Sequence, residues 1–267
     1  MRVPLSSSNP VISVRDLTCA YGDEVIVHDV SFDVDSGEIF VILGGSGSGK
    51  STVLKHMIGL YPPRTGRILF FGADGVVRDM ADAGQSLRMD ILRDVGVMYQ
   101  GGALFGSMTL LENVRLPLEE FTDLPREAQD LVARMKLSLV GLEEYTRHMP
   151  SELSGGMQKR AAIARAMALD PSILFLDEPS AGLDPITSAE LDALIRSLAQ
   201  SLGITFVIVS HELPSIFAIA DRVIMLDKSV KTIVAQGAPQ ELRDMSGNHY
   251  VHRFFNRLLD DTADREA

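Results

Sequence analysis

The stretch Gly44-Gly45-Ser46-Gly47-Ser48-Gly49-Lys50-Ser51 fits the phosphate-loop pattern G-x-x-x-x-G-K-[ST] and decides the fold. An apolar segment that predicts a buried strand, Glu38 to Leu43, precedes it, and a segment that predicts a helix, Ser51 to Leu60, follows it. This succession of strand, glycine-rich loop and helix is the context in which the pattern binds a nucleotide. A flexible Gly/Ser linker is disfavoured, because linkers rarely separate a buried strand from an amphipathic helix.

The residue types of this loop suit the binding of phosphate. Glycines let backbone N–H groups point inward around an anion, at a helix N-terminus where the dipole favours negative charge. The Lys50 ammonium is expected to reach the β- and γ-phosphates, and the Ser51 hydroxyl is expected to bind Mg²⁺. The candidate nucleotide-binding residues are Gly44, Gly45, Ser46, Gly47, Ser48, Gly49, Lys50, Ser51 and Thr52.

Composition narrows the class of protein. The 267 residues suffice for one large α/β domain or two small ones. A formal net charge of −11 argues against a general nucleic-acid binder, which would present a basic surface. Cys19 is the single cysteine, so no intramolecular disulfide can form, and this fits a reducing compartment.

No segment of the sequence predicts a membrane anchor. The first ten residues lack an apolar core that would suit a signal peptide. No run of about 18 apolar residues occurs, so nothing is expected to span a bilayer. If the protein serves a membrane, we expect it to do so from the cytoplasmic side, as a peripheral subunit.

Strands and helices alternate along most of the chain, which implies a mostly parallel sheet covered on both faces. Apolar segments predict strands at 11–17, 25–34, 67–71, 95–99, 172–177, 204–209 and 223–226. Helices are predicted at 109–118, at 125–140, at 161–169 and along the apolar positions between 191 and 202. The segment between 74 and 88 is polar and predicts neither element.

The tail after residue 237 has a different character. Pro239 to Met245 predicts a short helix, and apolar residues from Tyr250 to Leu259 predict a second one. Phe254 and Phe255 could close over the chain's own core or reach a second subunit, and the sequence leaves both open. Asp260 to Ala267 is polar and is expected to be disordered.

A second informative segment runs from Ile173 to Asp177 and continues with Glu178. Its apolar residues end in two carboxylates, which puts Asp177 at the C-terminal edge of a buried strand, where open α/β sheets bind ligands. Asp177 is expected to hold Mg²⁺, directly or through water, and Glu178 can orient or deprotonate an attacking water. An ordinary strand end with solvated acids is the alternative, and the presence of the phosphate loop disfavours it.

A third segment, Leu153-Ser154-Gly155-Gly156, predicts another anion-binding helix end. Ser154 can cap the following helix, and the two glycines expose backbone N–H groups at its N-terminus. A simple capped helix would explain the serine but not the glycine pair, which weakens a helix start entropically.

These segments occur together in one order: the phosphate loop, Gln100, the 153–156 segment, Asp177 with Glu178, Ser180 to Asp184, and His211. Over residues 10–237 the chain thereby resembles the nucleotide-binding subunit of ATP-binding cassette (ABC) transporters. The resemblance implies the ABC ATPase fold, an α/β P-loop NTPase core with a mostly parallel sheet, an antiparallel β-subdomain and a helical subdomain at about 101–160. Residues 238–267 would form a C-terminal extension.

The resemblance also implies roles for the matching positions. Glu178 looks like the catalytic base and His211 like the γ-phosphate switch, while Gln100 would contact Mg²⁺ or the attacking water. Tyr21 would stack on adenine, and Asp184 would link two sites across a dimer. The alternatives are a histidine that makes local hydrogen bonds and a tyrosine that covers a sheet edge.

The segment 153–156 matches the signature of the ABC family, and the role that the resemblance gives this signature segment implies a dimer. Ser154, Gly155 and Gly156 would bind the γ-phosphate of ATP held by the other subunit, since Lys50 already holds the phosphate of its own chain. Two copies head to tail then form two composite sites. The signature usually ends in glutamine, whereas this chain has Met157 before Gln158. The residues that touch phosphate are intact, so we expect an active site.

Two short windows, 55–60 and 100–118, carry a narrower resemblance to the ATPase subunit of the Mla phospholipid transport system. It implies two permease subunits, a periplasmic mammalian-cell-entry (MCE) domain protein, and a place on the cytoplasmic face of the inner membrane. The apolar loop 100–109 predicts either a buried segment or a groove for a partner helix.

The sequence leaves other functions open. An importer of a polar nutrient, a lipoprotein-release ATPase and a drug-export ATPase are the rival transporters. A non-transport ABC ATPase working on ribosomes or DNA is disfavoured, because the chain has one cassette, no heptad run and an acidic composition.

Overall fold

The structure, a computed structural model, describes residues 10–245 and 247–256. Within these ranges the strands are β1 Pro10–Tyr21, β2 Glu24–Asp35, β3 Ile39–Gly44, β4 Thr65–Phe71, β5 Val77–Asp79, β6 Val95–Met98, β7 Ile173–Asp177, β8 Thr205–Val209, β9 Arg222–Asp227 and β10 Thr232–Gly237. The helices there are α1 Lys50–Met57, α2 Gln85–Arg93, α3 Leu110–Phe121, α4 Arg126–Leu139, α5 Gly155–Ala166, α6 Pro185–Leu202, α7 Leu213–Ile219, α8 Pro239–Met245 and α9 His249–Asn256.

A six-stranded, mostly parallel sheet forms the centre of the fold. Its order is β10-β9-β3-β8-β7-β6, and β10 alone among these runs antiparallel to its neighbour. Strands β3, β7 and β8 are buried along their whole length, as expected where helices cover both faces. The segments that follow β3, β6, β7 and β8 therefore meet at one edge of the sheet, the edge where such sheets bind ligands.

A separate four-stranded antiparallel sheet, in the order β2-β1-β4-β5, packs against this core. Its first hairpin turns at Gly22–Asp23, and Tyr21 pairs with Glu24 beside the turn. Phe32 of this sheet stacks on Phe40 of β3, with ring centroids 5.2 Å apart. The predicted combination of a parallel core with an antiparallel β-subdomain is confirmed.

Helices α3 to α5 form the helical part of the chain. Thr109 begins α3 with a capping box that includes Glu112, and Pro117 is tolerated inside the helix. Helix α5 begins at Gly155, six residues before the sequence-based prediction at 161, because the Ser154 side chain caps it. It crosses residue 160, the predicted end of the helical subdomain. The subdomain boundaries themselves stay predictions.

Four of these elements, β5, α2, α7 and β10, escaped sequence-based prediction. The polar segment 74–88 contains β5 and the start of α2, and α7 and β10 also were not predicted. The strand β5 has three residues and exists through its pairing with β4, which no local pattern encodes. Helix α1 ends at Met57 and not at Leu60, because Gly59 takes a left-handed conformation (φ 71°).

The described part of the tail packs on the chain's own core. Helix α8 has the predicted bounds, and in α9 Val251 and Phe255 are buried. The rings of Phe255 and Phe217 of α7 lie 5.8 Å apart.

Leu258, Leu259 and Asp260 to Ala267, for which we predict helix and disorder, lie outside the described residues. None of the helices within 10–245 and 247–256 combines the length and apolar character needed to cross a membrane.

Candidate active site

The phosphate loop joins the end of β3 to α1, and two of its glycines are required by space as well as by backbone conformation. Gly44 has φ 152°, and a Cβ there would lie 2.4 Å from the Leu226 carbonyl oxygen. Gly49 has φ 97°, and a Cβ there would lie 2.6 Å from a methyl group of Val27. The phosphate loop thus packs between β9 and β2, and this packing fixes its backbone conformation.

The Lys50 ammonium lies inside this loop. It donates hydrogen bonds of 3.0 Å to the carbonyl oxygens of Gly44 and Gly45. Burial lowers the pKa of the Lys50 ammonium, and the charges of Glu178 and Asp177 oppose that shift. The opposing carboxylates keep a cation available where the sequence predicts phosphate.

Two candidate Mg²⁺ ligands are in direct contact. The Ser51 hydroxyl donates a 3.0 Å hydrogen bond to the Asp177 carboxylate, although 126 positions separate them in the sequence. Asp177 is 5% exposed at the end of β7. A hydroxyl and a carboxylate form an oxygen-only donor set, which fits Mg²⁺. No group of three or more His, Cys, Asp and Glu side chains that could hold a metal ion occurs in the described ranges.

Glu178, the residue after β7, combines a strained backbone with a held side chain. Its φ is 49°, in the left-handed region that non-glycine residues rarely adopt, and its N–H donates to the Val209 carbonyl oxygen at 2.9 Å. The His211 Nδ1–H donates to Glu178 Oε1 at 2.7 Å. The other oxygen, Oε2, is buried and has no hydrogen-bond partner among the described residues. A fixed carboxylate with a free oxygen can accept a proton from a water molecule.

Lys159 is a member of this site that sequence-based reasoning missed. Its ammonium approaches the Gln100 carbonyl oxygen at 3.3 Å and the Glu178 carbonyl oxygen at 3.5 Å. Burial lowers the pKa of Lys159, and the charges of Glu178 and Asp177 oppose the shift. Lys159 follows the signature by three positions, but no motif marked it. Gln100 itself lies exposed just beyond β6, beside the end of β7.

The signature segment 153–156 lies at the start of α5 and packs towards the start of α6. Ser154 accepts a 3.3 Å hydrogen bond from the Met157 N–H at the start of α5. A Cβ on Gly156 would lie 2.4 Å from the Thr187 methyl group, and one on Gly155 would have Leu183 as its contact within 4 Å. These contacts lead to the start of α6. The Met157 side chain is partly buried and packs against the core.

Asp184 caps α6 beside the signature. It accepts hydrogen bonds from the N–H groups of Ile186 and Thr187, at 3.0 and 3.1 Å, and from the Thr187 hydroxyl. The bond from the Thr187 hydroxyl contributes most to holding the pKa of Asp184 below its usual value. Tyr21 stands apart from both, at the end of β1, with 37% of its surface exposed.

The loop 100–109 is largely exposed and does not form a buried segment. Phe105 is 49% exposed, and the Arg165 guanidinium lies 6.0 Å from its ring centre. Nearby, a groove of about 290 Å³ opens between the β6 edge of the sheet and the helices, and its apolar lining includes Leu60, Met89, Leu92, Tyr99, Pro117 and Phe121. An exposed apolar groove of this kind often marks an interface.

Comparison with known proteins places these features in context. Residues 27–181 match the family model described as ABC transporter. The intermembrane phospholipid transport system ATP-binding protein MlaF of Escherichia coli K12 is 40% identical over 250 residues, 94% of this chain and 90% of that protein. The probable ribonucleotide transport ATP-binding protein mkl of Mycobacterium leprae is 40% identical over 246 residues, 92% of this chain and 68% of that protein.

Solved structures share the fold. The ATP-binding cassette MJ0796, in a dimeric post-hydrolysis state bound to ADP and Pi, is 31% identical with a TM-score of 0.74 over 85% of this chain and 98% of that chain. The cbiO1 protein of Clostridium perfringens, part of the transporter complex cbiONQ, is 28% identical with a TM-score of 0.79 over 89% of this chain and 92% of that chain.

Proposed function

The chain belongs to the ABC transporter family as an ATP-binding and ATP-hydrolysing subunit, and we propose that two copies of it drive phospholipid transport between the inner and outer membranes. The observation that supports the site assignment best is the meeting of Ser51, Asp177, Glu178 and His211 at one sheet edge beside the phosphate loop. From it we assign the residues that bind ATP and those that hydrolyse it.

In this proposal, one set of residues binds ATP and Mg²⁺ and another set hydrolyses ATP. The phosphate loop and Lys50 would bind the phosphates, and Ser51, Asp177 and Gln100 would hold Mg²⁺. Mg²⁺ supplies positive charge that neutralises charge developing on the phosphates. Glu178 Oε2 takes a proton from the attacking water, while His211 fixes the carboxylate through Oε1.

We further propose that the active form is a head-to-tail dimer. A Cβ built on Gly155 or Gly156 would have no atom of the phosphate loop of its own chain within 4 Å, so we assign these glycines to the γ-phosphate of a second copy's ATP. Asp184, which caps α6 beside them, would then lie at the junction of the two sites. Dimeric forms of a similar cassette support this arrangement. Hydrolysis removes charge that both faces bind, and the faces separate.

The substitution Glu178→Gln tests the site and the dimer together. It keeps the shape of the side chain and one acceptor oxygen for His211 but removes the base, so we expect hydrolysis to fall by about 10²–10⁴-fold with ATP still bound. We also expect ATP to trap the variant as a dimer in size-exclusion chromatography. Near-normal turnover would remove Glu178 from the catalytic role, and a monomer at saturating ATP would argue against the dimer.

The groove between α2, β6 and α3 is the proposed docking site for the permease subunits, on the cytoplasmic face of the membrane. Its exposed apolar lining suits a partner helix. Met89→Asp would put a charge in the groove and should abolish co-purification with the permease without loss of ATP binding. Val230→Asp, on the exposed turn between β9 and β10, is the matched control. If both variants keep the permease, the groove is not the docking site.

The phospholipid assignment rests on similarity to MlaF over nearly the whole chain. A transport protein named for ribonucleotides shows equal identity over a similar length, so a ribonucleotide transporter is the rival. Purification from native membranes in mild detergent, with identification of co-purifying proteins and lipids, separates the two. Co-purification of a permease, an MCE-domain protein and phospholipid would support our proposal. Co-purification of a solute-binding protein without lipid would contradict the assignment of phospholipid as the substrate.

A further inference from the structure

We propose that Tyr61 is a positioning residue for the nucleotide base, because its ring holds the ring of Tyr21 at a fixed angle and so presents the Tyr21 face to adenine. The inference rests on the proposed stacking of adenine on Tyr21. Tyr61 lies outside the motifs of the ATP site, two positions after Gly59, the glycine that ends α1.

Three aromatic side chains form the contacts that carry this inference. The ring centroids of Tyr21 and Tyr61 lie 5.1 Å apart, with the planes at 86°. His56 lies beneath both, 6.2 Å from Tyr21 and 5.9 Å from Tyr61. An edge-to-face pair at this distance is attractive, because the positive edge of one ring meets the negative face of the other. Tyr61 therefore limits the orientations of the Tyr21 ring.

Tyr61 itself is held by the backbone on both sides. On the near side, the N–H of Gly59, two residues before Tyr61, donates a 3.0 Å hydrogen bond to the His56 carbonyl oxygen at the end of α1. Gly59 has a left-handed backbone, and a Cβ there would lie 2.6 Å from the Met80 sulfur, so both conformation and space favour glycine at this position. On the far side, the Arg64 N–H donates to the Thr18 carbonyl oxygen of β1 at 2.9 Å. The segment that carries Tyr61 is thus tied to α1 and to the hairpin that carries Tyr21.

His56 forms the floor of the cluster and joins it to the phosphate end of the site. It is fully buried, and its Nδ1–H donates to the Thr52 carbonyl oxygen at 2.8 Å. Burial lowers the pKa of His56, so the ring is neutral at neutral pH and its contact with Tyr21 stays constant there. Because Thr52 follows Lys50 and Ser51 in α1, the base contact and the phosphate contacts share one helix.

The exposure of the two tyrosines favours a ligand over simple covering of the sheet edge. Tyr21 is 37% exposed and Tyr61 is 43% exposed, so each keeps aromatic surface open to solvent. A pair that served only to cover the sheet would bury more of that surface. A flat base stacked on Tyr21 would cover it.

Binding of ATP and of tripolyphosphate, which lacks the base, tests the inference on the purified full chain. Tyr61→Ala should weaken ATP about three- to tenfold and leave tripolyphosphate unchanged, since one aromatic pair is lost. Tyr61→Phe, which keeps the ring, should bind ATP normally, and Tyr61→Leu, which keeps apolar bulk, should behave as the alanine variant. The KM for ATP should rise while kcat is unchanged. Leu131→Ala, an exposed apolar residue on α4, is the control.

Three results would overturn the inference. Equal weakening of ATP and tripolyphosphate by Tyr61→Ala would indicate a general structural role, and unchanged ATP binding would remove Tyr61 from the site. The variant Tyr21→Ala separates the proposed stacking of adenine on Tyr21 from the proposed positioning role of Tyr61. If Tyr21→Ala binds ATP normally, the proposed adenine stacking fails as well; if it alone weakens ATP, only the role of Tyr61 fails.

Discussion

The carboxylate of Glu178 depends on one histidine for its orientation. His211 holds Oε1 at 2.7 Å and leaves Oε2 without a partner in the described chain. We expect His211→Ala to lower the rate of hydrolysis by up to about a hundredfold, because a misplaced reacting group loses much of its effectiveness. ATP affinity should change little. Turnover at saturating ATP measures the effect, and a normal rate would show that the Glu178 backbone alone positions the base.

Lys159 supports the same site from the signature helix. Its ammonium contacts the carbonyl oxygens of Gln100 and Glu178 and is 8% exposed. Lys159→Met should leave both carbonyls without their cation, lower stability by about 1–3 kcal/mol, and slow hydrolysis more than it weakens ATP binding. Arg160→Ala, the next residue, loses only a surface pair with Glu190 and is the control. Equal effects of the two variants would contradict a role for Lys159 in the site.

These two residues show what the sequence reveals at this scale and what it does not. The place of Asp177, Glu178 and His211 at one sheet edge was predictable. Asp177 ends a buried apolar strand and Glu178 follows it, His211 comes after another, and parallel strands bring their carboxyl ends together. Lys159 was not, since its partners lie 59 and 19 positions away and no pattern links them. The left-handed backbone of Glu178 was equally hidden, because no residue type signals it.

The contact between helices α5 and α6 constrains the signature. A Cβ on Gly156 would lie 2.4 Å from the Thr187 Cγ2 methyl group. Gly156→Ala should therefore destabilise the chain by about 1–3 kcal/mol, as overpacking does. Adding Thr187→Ser removes that methyl group but keeps the hydroxyl that bonds Asp184, and it should restore stability. Thermal unfolding of the single and double variants measures this, and no recovery in the double variant would disprove the steric account.

Elements with a strong local signal were predicted well, and short ones were not. The strand β3 with its loop and α1, the strand β7 and the helix α8 all carry apolar runs, glycines or periodic faces. Helix α7 has seven residues and β5 has three, too few for a period to stand out. Strand β10 is partly exposed and is held by its pairing with β9, which a sequence does not display.

At the scale of the whole molecule, the C-terminal extension completes the core. Phe255 is 4% exposed and packs on Phe217, while Val251 is fully buried. We expect Phe255→Ala to lower the free energy of unfolding by about 3 kcal/mol, the usual cost of removing a buried ring. Denaturant unfolding of the variant measures this. A change below about 0.5 kcal/mol, the size of a surface substitution, would mean that the extension packs elsewhere in solution.

The composite site is the central claim, and mixing two inactive variants tests it most directly. Lys50→Met removes the phosphate-loop lysine. Gly155→Asp puts a negative charge at the signature, where a Cβ meets only an ordinary contact, 3.5 Å from Leu183. Each homodimer should be inactive. Random mixing should restore about a quarter of the wild-type sites, because each mixed dimer holds one intact site. A mixture as inactive as its components, or an active Gly155→Asp variant alone, would contradict a site built from two chains.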